Sequence, residues 1–242
     1  MSYRAMNTRP RDQLLTLIAI ALTFASGASD VASFTRLGNV FTSVMTGNIV
    51  LWGLAAARGS LTLFAHTAVS IAGYIAGVAG GTWVGHGAKG GPEPDPGVLP
   101  RHVIWVLLAE LTLLAGFTVG WLVSGASPAG WAQFCLLATL AAAMGMQSSA
   151  VKDMGLTEVS TTYLTGTLTA LVSSLASPGQ DTPHGGRRVG VLMGLVAGAS
   201  LCGLFIATAA DGAPALPLAA LVTTLVLATG PSWPLRVRRR RR

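Results

Sequence analysis

The sequence predicts an all-α polytopic membrane protein that forms a single integral membrane domain over residues 1–242. Of the 242 residues, 51% are hydrophobic and only 10% are charged, and the mean hydropathy is +0.59. A soluble domain carries about 25% charged residues. Apolar runs of roughly 17–25 residues, long enough to cross a bilayer, recur along the chain. We therefore expect the whole chain to lie in the bilayer, with no separate soluble domain.

Eight apolar segments follow one another along the chain. They cover residues 14–28, 40–57, 61–84, 102–123, 131–146, 159–175, 189–210 and 216–229. A polar stretch at residues 86–101, rich in Pro and Gly, separates the third segment from the fourth. Alternating Pro and Gly continue neither a helix nor a strand, so this stretch is predicted to be a flexible connector.

Two patterns recur in the second half of the chain. A Thr-Gly pair stands in VMTGNI at residues 44–49 and again in YLTGTL at residues 163–168. A ladder of three glycines spaced four apart also occurs twice, at an offset of 117: Gly73, Gly77 and Gly81, then Gly190, Gly194 and Gly198. Small residues at every fourth position let membrane helices pack closely. We predict two tandem repeats, 14–123 and 131–229, that meet at the third and seventh segments.

Six to eight segments span the membrane, depending on the two that hold the Thr-Gly pairs. If all eight span, the repeats run parallel. If the second and sixth are broken or re-entrant, six spans remain and the repeats are inverted. Lys89 and Arg101 are then inside, whereas the eight-span arrangement puts them outside. Counting of positive charges slightly favours the inverted arrangement.

The Thr-Gly pairs predict interrupted helices. Glycine weakens a helix by about 1 kcal/mol relative to alanine, and freed backbone groups are tolerated at membrane depth only against protein or water. Transporters build solute sites from such helices at the repeat interface. The candidate solute ligands are Thr46, Gly47, Asn48, Gln147, Ser148, Thr165, Gly166 and Thr167. The alternative is that Gly47 and Gly166 serve helix packing alone.

Two acidic residues are candidates for coupling to a proton or another ion, because an ionisable group inside a span is costly and marks function by default. Asp30 ends the first segment and corresponds to Ser148 in the second half. Glu110 lies within the fourth segment. The alternatives are that Asp30 caps a helix end and that Glu110 pairs with Arg36 or Arg58.

The remaining sequence features favour no enzyme. The chain has no metal-spaced His and Glu pair, no nucleophile elbow and no phosphate-binding loop, so we expect no catalytic residue, cofactor or metal site. The net charge of +7 is concentrated near the ends of the chain, in Arg4, Arg9, Arg11, Arg236 and Arg238–Arg242. Such arginines hold chain ends in the cytoplasm and bind anionic lipids. We expect cytoplasmic termini, anionic lipid at the C-terminal tail and no nucleic-acid partner.

Several of these motifs together resemble the YoaK family, bacterial membrane proteins with the domain of unknown function 1275. The resemblance extends from about Leu14 to Leu227. Its motifs are Gly27 with Asp30, Val40-Phe41, Met45-Thr46-Gly47-Asn48, Gly145-Met146-Gln147 and Thr161 to Leu168. Ser148 departs from the asparagine expected at its position. The resemblance implies a bacterial inner-membrane location and names no substrate.

The function predicted from these features is secondary transport. A small polar or anionic solute would bind at the repeat interface and cross the lipid bilayer by alternating access. A passive channel is one alternative, and a non-transporting scaffold or partner subunit is another. A homo-oligomer is compatible with the sequence.

Overall fold

A computed structural model describes residues 9–88, 98–154, 164–176 and 185–229. These residues form eight α-helices and no strand: α1 Arg9–Arg36, α2 Met45–Arg58, α3 Leu61–Ala88, α4 Arg101–Val123, α5 Gly130–Asp153, α6 Leu164–Ala176, α7 Gly185–Thr208 and α8 Ala215–Thr229. A 3-10 turn precedes α8. By length and composition, six helices can cross a membrane: α1, α3, α4, α5, α7, and α8 with its preceding turn. The predicted all-α polytopic membrane fold is confirmed.

Helices α1 and α5 are longer than the apolar segments that predicted them. Helix α1 continues to Arg36, so the prediction that Asp30 ends the first helix is wrong. Helix α5 likewise continues past Met146 to Asp153. The later turns of α1 carry polar side chains that are buried against protein, and a search for apolar runs therefore stops short of them.

Helix α2 is shorter than the predicted second segment. Residues 40–44 are not helical, and α2 has 14 residues, too few to span a bilayer upright. Helix α6 is described over 13 residues. The predicted connector at 86–101 is also shorter, because α3 extends to Ala88. The connector's residues 89–97, the sixth segment's residues 159–163 and the arginine tail lie outside the described residues.

Helices α1 and α5 run in opposite directions. Gln133, near the start of α5, donates from Nε2 to the carbonyl oxygen of Arg36 at the end of α1, over 2.9 Å. Gln147, later in α5, donates from Nε2 to the carbonyl oxygen of Leu22, earlier in α1, over 3.0 Å. Opposite directions of α1 and α5, the first helices of the two halves, are what the inverted arrangement predicts. The duplication itself stays a prediction.

Helix α2 is a re-entrant half-helix. The ring of His66, in the second turn of α3, contacts Gly38 just after α1 and lies 3.1 Å from the Oε1 atom of Gln133. The end of α1 and the starts of α3 and α5 therefore share one face of the bundle. The segment containing α2 leaves this face and returns to it. We call the face where α1 ends the opposite face. The face where α1 begins is called the terminal face.

Contacts at the terminal face join the other helix ends. Arg187, in the first turn of α7, donates from Nε to the Thr16 hydroxyl on α1 over 2.9 Å. His102 Nε2, at the start of α4, lies 3.3 Å from Asp153 Oδ2 at the end of α5. Each of the six candidate spanning helices in the described part of the chain can thus be assigned a direction.

The two glycine ladders lie where the halves of the chain pack together. Helix α3 packs most closely against α5, and α7 packs most closely against α1. A Cβ atom on Gly77 would meet the carbonyl oxygen of Ala142, and one on Gly198 would meet that of Phe24. The prediction that these helices join the halves agrees with this packing.

The contacts also change the register of the ladders. A Cβ atom added to Gly73 would lie 2.7 Å from the carbonyl oxygen of Ala138, and one added to Gly194 would lie 2.9 Å from that of Ile20. Gly73 therefore corresponds to Gly194, 121 residues later, rather than to Gly190 at the expected offset of 117. The difference is about one helical turn. A four-residue spacing matches equally well one turn out of register, so sequence comparison alone could not choose.

A labelling experiment tests the re-entrant arrangement. In a background lacking Cys135 and Cys202, we expect Asn39→Cys and Arg58→Cys to react with a membrane-impermeant maleimide from the same side. Lys152→Cys should react from the other side. An eight-span arrangement predicts the reverse pattern, with Asn39 and Lys152 on one side and Arg58 opposite. Either pattern is read by mass shift before and after permeabilising the cells.

Candidate functional site

Asp30 anchors the re-entrant segment of the first half. Its Oδ1 atom accepts from the backbone N–H groups of Thr42 and Ser43, each over 2.8 Å, and from the Thr42 hydroxyl over 3.2 Å. Its Oδ2 atom accepts from the Ser43 hydroxyl over 2.6 Å. Asp30 lies six residues before the end of α1, about 9 Å along the helix. The carboxylate therefore holds the chain inside the membrane just before α2 begins.

Asn48 fixes the same segment from the side of α2. Its Oδ1 atom accepts from the Phe41 N–H over 2.9 Å, and its Nδ2 atom donates to the Phe41 carbonyl oxygen over 2.6 Å. The Ser70 hydroxyl on α3 donates to that same carbonyl oxygen over 2.5 Å. The Ser33 hydroxyl on α1 donates to the Val40 carbonyl oxygen over 2.9 Å.

These bonds satisfy the backbone of a non-helical segment inside the membrane. Irregular backbone at this depth requires partners within the protein, because lipid supplies none. The side chains of Asp30 and Asn48 are thus engaged by the fold itself. The capping alternative for Asp30 does not match this geometry, because Asp30 lies within α1 and its donors Thr42 and Ser43 precede α2. Ionic coupling through Asp30 stays a prediction.

The structure does not bring the two Thr-Gly pairs together. Thr46 is exposed on the first turn of α2, and Gly47 lies against Phe41 and Val44. Thr165 and Gly166 are exposed in the first turn of α6, while Thr167 is buried. Helix α2 packs on α3 near the opposite face, whereas Arg188 at the start of α7 bonds to Ala170 of α6. One shared site containing both threonine hydroxyls is therefore not formed here.

A second polar cluster lies where α1 crosses α5. Gln147 is 1% exposed, and its Nε2 atom donates to the Ser26 hydroxyl over 2.9 Å as well as to Leu22. Its Oε1 atom has no hydrogen-bond partner within the described part of the chain, and the same holds for the buried Ser29 hydroxyl on α1. We call Gln147, Ser26 and Ser29 the central cluster. Its two unpaired atoms can bind a donor and an acceptor.

Ser148, the neighbour of Gln147, faces a different helix. Its hydroxyl accepts from the Tyr74 hydroxyl on α3 over 2.8 Å. Ser148 corresponds to Asp30 at the predicted offset, yet it contributes to the α3–α5 interface. The candidate ligands of the second half are therefore divided between two interfaces.

Glu110 lies in the middle of α4 and is 0% exposed. Neither carboxyl oxygen has a hydrogen-bond partner among the residues that the structure describes. The alternative in which Glu110 pairs with Arg36 or Arg58 is therefore wrong. Both arginines lie at the opposite face, at the ends of α1 and α2, whereas α4 holds Glu110 near mid-span.

Sequence reasoning missed several hydroxyl residues that complete these clusters. Ser26, Ser29 and Ser33 lie on one face of α1 together with Asp30, and Ser70 on α3 bonds to Asn48 and Phe41. Their spacing of three or four residues is the signal that could have revealed this buried polar face. Among the described residues, no group of three His, Cys, Asp or Glu side chains is arranged to hold a metal.

Comparison with known proteins agrees with the resemblance. The family described as "Protein of unknown function (DUF1275)" matches residues 18–229. The chain is 30% identical over 167 residues to the UPF0700 transmembrane protein YoaK of Bacillus subtilis (strain 168). The aligned residues make up 69% of this chain and 68% of that protein. No solved structure matches the chain significantly.

Proposed function

The chain belongs to the DUF1275 family of membrane proteins with several transmembrane helices, and from this premise we propose that it is a secondary transporter for a small polar or anionic solute. The observation that carries the proposal is the central cluster. It lies between helices of the two halves and holds buried polar atoms without partners in the described structure. Transporters with inverted halves bind solutes at such an interface and expose them by rocking one half against the other.

The arrangement of the halves supports alternating access. Helix α1 joins α7 and helix α3 joins α5, so both main interfaces link one half to the other. Glycines at these interfaces bring the helix backbones into close contact. We propose that α1 moves against α7, and α3 against α5, along these glycine-lined contacts. The half-helix α2 is fixed to the first half by Asp30 and Asn48 and would move with it.

The orientation that we propose puts the terminal face in the cytoplasm of a bacterial inner membrane. Of the eight described Lys and Arg residues, the opposite face has two, Arg36 and Arg58. The terminal face has Arg9, Arg11, Arg101, Lys152, Arg187 and Arg188. Positive charge concentrates on cytoplasmic ends of membrane segments. Both chain ends would then be cytoplasmic, with the arginine tail near anionic lipid.

The central cluster defines the solute by its hydrogen bonds. An amide oxygen accepts, and a serine hydroxyl both donates and accepts. The described Lys and Arg residues lie at the two faces of the bundle rather than beside the cluster. A solute with hydroxyl or amide groups therefore fits the cluster better than a free dianion does. The proposed role of Gln147 is to orient this solute between α1 and α5.

Thermal unfolding of the purified protein in detergent, with and without a small-solute library, tests this site. A ligand that binds the folded state at a hundredfold excess over Kd stabilises it by about 2.7 kcal/mol. We expect a solute that stabilises the wild type and Thr46→Val but loses its effect on Gln147→Met. Methionine is close to glutamine in size, so the variant should keep the packing of α5.

The two variants separate the candidate sites. A solute shift lost in Thr46→Val and kept in Gln147→Met would transfer the site to the half-helix. If no solute stabilises any folded variant, the scaffold alternative gains support. If a solute binds but its flux into liposomes is linear with concentration and indifferent to gradients, the protein is a channel.

A further inference from the structure

We propose that Glu110 is the proton-binding site of this membrane protein, and that its carboxyl group is a neutral acid in the conformation described here. The inference rests on the proposed transport function, and it assigns the coupling ion as a proton and its carrier as Glu110 rather than Asp30. The O–H bond of the acid would break when Glu110 meets water on one side, releasing the proton to that water. The carboxylate would then take a proton from the other side.

The isolation of the carboxyl group is the first reason. An ionised carboxylate without partners is strongly disfavoured in a low-dielectric interior, and such a group takes up a proton instead. Glu110 is completely buried, and both of its oxygens are unpaired within the described residues. The charged form therefore has nothing to stabilise it here.

The other half of the chain supplies the second reason. Five of the seven buried positions of α4 have a buried counterpart on α8 114 residues later, and at this offset Glu110 corresponds to Thr224. The pairs are Val103 and Pro217, Val106 and Ala220, Leu107 and Leu221, Glu110 and Thr224, and Leu114 and Ala228. Thr224 satisfies its own hydroxyl by donating to the Ala220 carbonyl oxygen over 3.0 Å. The corresponding buried position of the other half thus holds a neutral residue rather than a carboxyl group.

Asp30 differs from Glu110 in each of these respects. Four donors surround its carboxylate, and two of them are backbone N–H groups of the re-entrant segment. Protonating Asp30 would place a hydrogen among groups that already donate. A residue that must release its anchor in each cycle would disrupt the segment that it holds. Glu110 can change its charge without breaking any bond in the described structure.

The neighbours of Glu110 provide no competing ionisable group at its level. Helices α3, α5 and α8 pack against α4. Helix α8 has no titratable side chain. The titratable and charged side chains on the other helices, α4 included, are His66, Tyr74 and His86 on α3, Arg101 and His102 on α4, and Cys135, Lys152 and Asp153 on α5. None of them is hydrogen-bonded to Glu110.

Infrared spectroscopy of the purified protein in detergent at neutral pH tests the proposal without any solute. We expect the wild type to show a carboxylic-acid C=O band that is lost in Glu110→Gln and kept in Asp30→Asn. In D2O the band should shift to lower wavenumber as the proton exchanges. Glutamine resembles the neutral acid in shape, and size-exclusion chromatography verifies that the variant is folded.

Three results would overturn the proposal. The absence of the band would mean that Glu110 is ionised. A band that does not shift in D2O would mean an inert buried acid, and a band lost in Asp30→Asn would move the proton to that residue. The solute screen is independent. If the Glu110 band shifts in D2O but no solute stabilises the protein, the transport function alone is contradicted. If a solute binds but the carboxylic-acid band is absent, only the proton site is contradicted.

Discussion

Replacing Asp30 with Ala should lower the free energy of unfolding by about 2–6 kcal/mol. The substitution leaves the buried N–H groups of Thr42 and Ser43 without acceptors, and each unsatisfied group costs about 1–3 kcal/mol. Lipid offers no replacement partner. The measurement is the thermal unfolding midpoint of the purified protein in detergent, followed by tryptophan fluorescence.

Two matched variants show whether the loss belongs to the anchor. Asp30→Asn keeps one oxygen as an acceptor and should be less damaging than Asp30→Ala. Ser148→Ala, at the corresponding position of α5, removes one hydroxyl that accepts from Tyr74 and should cost about 1 kcal/mol. If Asp30→Ala unfolds at the same temperature as Ser148→Ala, the carboxylate does not hold the re-entrant segment.

Replacing Gly77 with Ala should destabilise the protein by about 1–3 kcal/mol, the usual effect of overpacking a core. The new Cβ would lie 2.7 Å from the carbonyl carbon and 2.8 Å from the Cα atom of Ala142. These are backbone atoms, so α3 and α5 would have to move apart. Gly198→Ala should behave alike, because its Cβ would meet the backbone of Phe24 on α1.

The control for the ladder is Gly116→Ala on α4. An added Cβ there meets no atom within 4 Å. Since alanine favours a helix by about 1 kcal/mol over glycine, this variant should be unchanged or slightly more stable. Unfolding midpoints in detergent compare the three variants. Equal effects at Gly77 and Gly116 would show that the ladder matters through helix propensity rather than through close packing.

The fold class could be predicted from the sequence because lipid imposes strong constraints on composition. Long apolar runs and four-residue glycine spacing each reflect one helix or one pair of helices. The length of α1 could not be predicted in this way, since Ser26, Ser29 and Asp30 face protein rather than lipid. Hydropathy records the polarity of a side chain and cannot record which neighbours surround it.

The candidate site could be predicted only in part for a related reason. Asn48, Gln147 and Glu110 were identified by polarity inside apolar segments, and all three are buried. The partners of Asn48 and Gln147 were not identified. Phe41, Ser26 and Leu22 come into contact with them only through tertiary structure. The Thr46 hydroxyl has the same polarity but faces outward, and no local pattern distinguishes it.

The two halves of the chain differ in the groups that fix the first re-entrant segment. Asp30 corresponds to Ser148, and Asn48 corresponds to Thr167. Ser33 corresponds to Val151 at the offset of 118 that relates Asp30 to Ser148, and Ser70 corresponds to Val191 at the offset of 121 that relates Gly73 to Gly194. No carboxylate or amide is present at these positions in the second half. The second half therefore lacks, at these positions, the side chains that hold α2 and its preceding segment in the first half.

The pairing of α1 with α7 has a consequence for how the protein is made. A ribosome adds about 5–20 residues per second, so roughly 10–30 s separate the emergence of these two helices. During that interval the glycine-lined partner surface of α7 does not yet exist, and the small residues of α1 that will receive it face lipid or the insertion machinery. Synthesis stopped after α5 would leave α1 without its principal neighbour. When the two halves are expressed as separate chains, each should therefore be degraded if it is expressed alone. Both should persist in the membrane if they are expressed in the same cell.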